Sequence, residues 1–166
     1  MARLLEVENL PISVTRHDEW LHGGTPLHPR VAELFMRSVV PRADGTYILE
    51  IGFDEQPLHV EVAAFFVRRV ELDEAAGELR AAFVHLSDGA REPLRPETLE
   101  QGDDHALYCR LVRHGLLVPA RFLATPYHAL AAHVEPVGER FALRLAGRRW
   151  PIAAFDPAPR VVRSSG

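Results

Sequence analysis

Arg110 and Arg113, with Arg121 farther on, are the charges whose types and spacing could do chemistry. A guanidinium carries five N–H donors in a planar fork that matches a carboxylate or phosphate, so two of them converging on a cleft would hold a small anion. Strand periodicity puts Arg110 on the Tyr108 face, and Arg113, near the strand end, can turn toward the same rim. With Glu61, and with Trp20 as a cover for a ligand pocket, these give a candidate ligand-binding set of Trp20, Glu61, Tyr108, Arg110 and Arg113. The competing reading pairs the arginines with Glu61, Asp103 or Asp104 for structure, and packs Trp20 into the core.

Other reactive residue types make weaker patterns. Nine histidines are present without a His-Glu-x-x-His, and the single cysteine removes the cysteine-rich zinc patterns, so no metal is assigned. His128 and His133 are five apart, poor spacing for one helix face. Cys109 would need a neighbouring cation to become a nucleophile, and its alternation with Leu107 and Leu111 reads as a buried thiol. No Gly-x-Ser-x-Gly elbow activates a serine. His22-Gly-Gly-Thr-Pro could form an anion-binding nest before a helix, but it lacks the lysine of a phosphate loop and reads first as a tight turn. Arg148-Arg149-Trp150 is too short for a nucleic-acid surface. No catalytic constellation emerges, and no pattern identifies a cofactor.

The elements that must carry these residues are marked by proline and periodicity. Pro29 opens a helix whose stripe is Val31, Leu34, Phe35, Ser38 and Val39, and Pro41 stops it near Val40. Strands are expected at Tyr47 to Ile51, Leu58 to Val62, Phe65 to Leu72, Leu79 to Leu86 and His105 to Val112. A second helical region begins around Leu116, is best defined after Thr125-Pro126 with Thr125 as cap, and ends at Pro136. Phe141, Leu143 and Leu145 alternate, Gly147 turns, and Trp150 to Ile152 closes the folded part.

Laid side by side, Pro29 and Pro126, Pro41 and Pro136, Tyr47 and Phe141, and Pro57 and Pro151 stand 94 to 97 residues apart. The fold class is therefore α/β of the α+β type, with two small apposed lobes and a repeated helix plus β-hairpin motif. The division is a lead-in at 1–19, an N-terminal lobe at 20–90, a C-terminal lobe at 91–155 and a flexible tail at 156–166.

A chain of 166 residues, 47% hydrophobic and 25% charged, supports one packed unit, and its net charge of -4 argues against wholesale binding to nucleic acid or an anionic membrane. No run of residues is apolar enough to span a bilayer and no signal peptide is visible, so the expected location is the cytoplasm.

Trp20, Gly24-Thr25-Pro26, the Val31 to Phe35 helix, Asp44-Gly45-Thr46-Tyr47-Ile-Leu, Val60-Glu61-Val62-Ala63-Ala64-Phe65, Pro93-Leu94-Arg95, and the series Tyr108, Arg110, Arg113, Gly115-Leu116 together resemble the DUF1285 family of bacterial proteins of unknown function. The resemblance spans Asp18 to Ile152; it departs at Val62 and Ala64, where the family pattern has aspartate and proline. It implies a two-lobe α/β fold with a repeated motif, and involvement in signalling or small-ligand binding with no assigned reaction.

Three function classes follow. The first is a non-catalytic binding or regulatory module taking a small anionic ligand at the lobe junction. The second is a hydrolase-like enzyme using Glu61 or a histidine with a positioned water. The third is a structural homo-oligomer, a homodimer formed through a strand edge at Phe65, Phe66 and Val67.

Overall fold

The computed structural model describes residues 10–162. The expected lead-in contacts of Leu4, Leu5 and Val7 lie outside the described residues.

Short strands with tight turns make the first sheet: β1 (Ile12–Val14), β2 (Trp20–His22), β3 (Thr25–Pro26), β4 (Val39–Pro41), β5 (Tyr47–Ile51) and β6 (Asp54–Val60), in the order β3-β2-β1-β6-β5-β4. Gly23 and Gly24, with φ of 57° and 83°, form the two-residue turn that joins β2 to β3. The His22-Gly-Gly-Thr segment is thus a hairpin and not a nest before the helix.

Helix α1 (Pro29–Arg37) follows, with His28 Nδ1 accepting from the Arg30 amide at its start. It ends three residues before the expected Val40, because Val39–Pro41 pairs with Tyr47–Leu49 instead, a use to which β-branched Val39 and Val40 are suited. Its buried face is Ala32 and Met36, in line with buried Val39; Val31 and Leu34, expected on the core stripe, are exposed.

The second sheet is built on β7 (Phe65–Ala75) and β8 (Glu78–Leu86), a long hairpin, extended by β9 (Arg91–Pro93), β10 (Glu100–Gln101), β11 (Leu107–Arg113), β12 (Leu116–Phe122) and β16 (Ala153–Ala154). Its order is β16-β10-β11-β12-β7-β8-β9, with β17 (Arg160–Val161) on β12. β12 replaces the helix expected from Leu116. Pro119 is tolerated in it because β17 pairs only with Leu116 and Leu117 and β7 only from Ala120 onward. Its missing donor therefore faces the gap between the two ladders.

β7 lies between β12 and β8, so Phe65, Phe66 and Val67 are all at most 1% exposed. They form an interior strand covered on both faces and not the exposed edge a homodimer would need. The expected boundary at residue 90 falls inside this sheet, between paired β8 and β9, and the chain passes from the first sheet to the second at 61–64.

Helix α2 (Ala124–Ala131) leaves β12, capped at Leu123 without a side-chain hydrogen bond, so Thr125 lies within its first turn instead of capping it. The antiparallel meander β13 (Val134–Val137), β14 (Arg140–Leu145) and β15 (Arg148–Pro151) forms the third sheet. Pro136 is part of β13, and the helix has already ended at Ala131. Each helix is thus followed by a three-stranded antiparallel ladder, β4-β5-β6 after α1 and β13-β14-β15 after α2. One apolar core runs from Val14, Trp20 and Leu49 through Phe66 and Val118 to Leu130 and Leu143. No helix among the described residues is long and apolar enough to cross a membrane.

Candidate functional site

Alternation along β11 sends Tyr108 and Arg110 to one face and Cys109, Leu111 and Arg113 to the other. Arg110 is fully buried. Its Nε donates to Glu100 Oε2 at 2.6 Å and its Nη2 to Glu100 Oε1 at 3.1 Å. The remaining donors go to the carbonyls of Asp156, Ala158 (2.8 Å) and Leu117 (3.4 Å). All five N–H groups are used, and Glu100 Oε1 also accepts from the Asp156 amide at 2.9 Å. The pair is a buried clamp on residues 156–158. The segment expected as a loose tail is thereby held against the second sheet, and β17 extends that hold.

Arg113 shares none of these partners. It donates to Asp88 at 2.9 Å and to Glu92 at 2.5 Å, in the turn after β8 and on β9, with its guanidinium over the Phe65 ring. The two guanidinium groups therefore do not converge on a cleft, and their carboxylate partners are Glu100, Asp88 and Glu92 instead of Glu61, Asp103 or Asp104. Trp20 is buried in the core, with its Nε1 donating to Asp18 at 3.1 Å. Burial raises the Asp18 carboxyl above its usual pKa although Arg68 pairs with it at 2.7 Å. Glu61 is exposed and takes two bonds from Arg16, one from the amide at 2.8 Å and one from Nε at 2.7 Å. Those bonds hold its carboxyl below the usual range.

Tyr108 leads to a different place. Its ring stacks on Phe155 with centroids 3.8 Å apart, and its hydroxyl accepts from Arg121 Nη1 at 2.7 Å. The β11–β12 register sets Tyr108 directly opposite Arg121. The same Nη1 donates to Asp104 at 3.0 Å. Burial opposes ionisation of Asp104, but the bonds from Arg121 and the Ala106 amide outweigh it and keep the carboxyl below its usual value. Asp104 also lies 4.0 Å from Arg16, so the first sheet reaches this point through the Glu61–Arg16 pair.

Here an open pocket of about 320 Å³ is lined by His17, Asp104, His105, Arg121, Tyr127 and His128, together with the start of α2. Among the described residues, Nη1 of Arg121 makes both of its side-chain hydrogen bonds, and Nε and Nη2 make none. Three imidazoles on the same rim add donors or acceptors according to tautomer. His105 sits at φ 64°, held in that turn by its amide bond to the Gly102 carbonyl. Among the described residues no group of three or more His, Cys, Asp or Glu could hold a metal.

Compared with solved structures, the chain superposes on a DUF1285 family protein from Silicibacter pomeroyi DSS-3 with a TM-score of 0.67 and 19% identity, over 87% of this chain and 80% of that one. The fold is that of the DUF1285 proteins. A second DUF1285 protein, from Shewanella baltica OS155, matches with a TM-score of 0.57 and 20% identity over 74% of this chain and 91% of that one. No family model matches the chain, and no curated protein matches it. On the DUF1285 fold, the positions that depart from the family pattern, Val62 and Ala64, fall in the connection between the two sheets, where Ala63 and Ala64 are buried. Of the five positions singled out in the sequence, Tyr108 and Glu61 reach the pocket through Arg121 and Arg16, while Trp20, Arg110 and Arg113 are engaged elsewhere.

The pocket's other residues, His17, Asp104, His105, Tyr127 and His128, carried no spacing signal, since they come from three separate segments. Arg121 was noticed as a charge. Its pairing with Tyr108 was hidden by the helical reading of Leu116 onward, because only a strand there brings the two into register. Cys109, on the face of β11 opposite Tyr108, is 1% exposed, and burial pushes its thiol up to about 12. It should remain unmodified by a maleimide in the native protein at pH 8 and react fully in denaturant; modification of the native chain would restore it as a candidate nucleophile.

Proposed function

We propose that this protein is a non-catalytic module that binds a small anionic ligand in the pocket between α2, β12 and the Thr15 to Asp18 turn of the first sheet. The observation that carries this reading is Arg121, which lines the pocket and is oriented through Nη1 by Tyr108 and Asp104, while its Nε and Nη2 make no hydrogen bond among the described residues. A guanidinium held in place before binding loses little conformational freedom when the anion arrives. The position of the pocket supports the reading, since His17 of the first sheet, Asp104 and Arg121 of the second, and Tyr127 of α2 all line it.

Titration calorimetry with inorganic phosphate and with succinate tests it. Removing a charged hydrogen-bond donor costs about 1.5–3 kcal/mol, so Arg121→Gln should weaken binding about tenfold or more. Equal affinities in the wild type and the variant would set the reading aside.

A hydrolase-like reading has its own observation behind it. His133 Nε2 lies 2.7 Å from Glu74, and His133 lines a second pocket, of about 280 Å³, with Glu78, Glu135 and Arg144. A carboxylate-oriented imidazole is a serviceable general base. Turnover on any ester or phosphoester of a substrate panel, abolished by His133→Ala, would favour this reading; turnover indifferent to that change would remove the base.

A further inference from the structure

A third cavity, of about 220 Å³, opens beside the Arg121 pocket and differs from it in chemistry. Its walls are Gln101, Leu107, Tyr127, Ala131, Phe141 and Ile152, with Val134 at the end, and none of them carries a charge. Tyr127 is common to both cavities. The two adjoin along the elements: Tyr127 and Ala131 are four apart on one face of α2, and Leu107 follows Ala106, a wall residue of the polar pocket. The Tyr127 side chain is half-buried and carries both an apolar ring and a hydroxyl, so it suits a wall shared by an apolar and a polar cavity. Phe141, on β14, keeps 43% of its surface exposed at the far wall. An apolar trough adjoining the proposed anion site suits one kind of occupant.

We infer that the ligand is an amphiphilic anion, with a phosphate or carboxylate head at Arg121 and an alkyl chain laid in the trough between α2 and β14. This rests on the ligand-binding reading above and specifies its substrate class. The head is fixed by the guanidinium edge and the chain by burial alone, so affinity grows with chain length until the trough is full.

The test is titration of the full-length protein with inorganic, butyl, hexyl and octyl phosphate, in the wild type and in Arg121→Gln, Ala131→Phe and Phe141→Ser, each first checked by thermal melting. Each methylene that enters the trough should tighten binding about twofold to fourfold. Ala131→Phe fills the trough and should reduce octyl phosphate to the affinity of inorganic phosphate, leaving the latter unchanged. Phe141→Ser, at an exposed position, should flatten the chain-length dependence if Ala131→Phe fails to fold. If phosphate binds through Arg121 but the chain adds nothing, the amphiphile is overturned while the anion site stands. If octyl phosphate binds Arg121→Gln as well as the wild type, or if a second copy of the chain covers Phe141 in solution, it is likewise overturned. If no phosphate binds at all, both readings fall together.

Discussion

Arg110→Ala is expected to destabilise the protein by about 3–5 kcal/mol, because it removes the close partner of buried Glu100 and leaves only the half-exposed Arg160 guanidinium, at 3.9 Å, near that charge. For a chain of this size that corresponds to a fall in Tm of very roughly 6–20 °C, measurable by calorimetry or circular dichroism. The loss extends to the C-terminal segment, since the carbonyls of Asp156 and Ala158 lose their donors together. Limited proteolysis should therefore cut near 156–161 in the variant and not in the wild type. Glu100→Gln should cost a similar amount from the other side. The double replacement Arg110→Met with Glu100→Leu should recover much of it, because an apolar pair needs no desolvation of charge, although the carbonyls on 156–158 would still lack partners. If Arg110→Ala melted with the wild type, Arg110 would be free of the clamp and available to a ligand.

Tyr108→Ala is the second large effect, an expected loss of about 3–5 kcal/mol from a ring only 2% exposed. It removes the stack on Phe155 and the acceptor that orients Arg121. Tyr108→Phe separates the two roles. It keeps the stack, so stability should fall by only about 1–2 kcal/mol. It still releases Arg121 Nη1, so anion affinity should fall in both variants while stability collapses only in the first. Urea melts read beside phosphate titrations give that comparison directly.

The strands were legible where one face is buried and the other wet. Tyr47 to Ile51 and Phe141 to Leu145 alternate because their inner positions, Tyr47, Leu49, Leu143 and Leu145, meet the core. Leu116 to Phe122 was misread for a physical reason: it is covered on both faces, with five of its seven residues buried, so its apolar run has no period to distinguish strand from helix. Pro119 is out of place in most interior strands, and only the gap between the β17 and β7 ladders makes it acceptable here. The stripe on α1 failed by one position: Val31 and Leu34 are apolar and at helical spacing, but the core is reached by Ala32, Met36 and Val39. The short Ala32 carried too little hydrophobicity to mark the right face.

Of the candidate site, the sequence pointed to the strand and not to the cavity. Tyr108 stands opposite Arg121, which lines the pocket proposed above. Which arginine is free depends on Glu100, Asp88 and Glu92, whose positions opposite Arg110 and Arg113 come from strand pairings that the sequence pattern does not fix. An arginine bound to all its partners and one with an open edge look alike in sequence.

The central claim is that Arg121 and the start of α2 receive an anion, and backbone amide shifts recorded during a titration with inorganic phosphate test it most directly. The account predicts saturable shifts confined to His105, Ala106, Arg121 and Leu123 to His128, lost in Arg121→Gln. Shifts centred on Arg113, or on the pocket around His133, or unchanged by the Arg121 replacement, would contradict it.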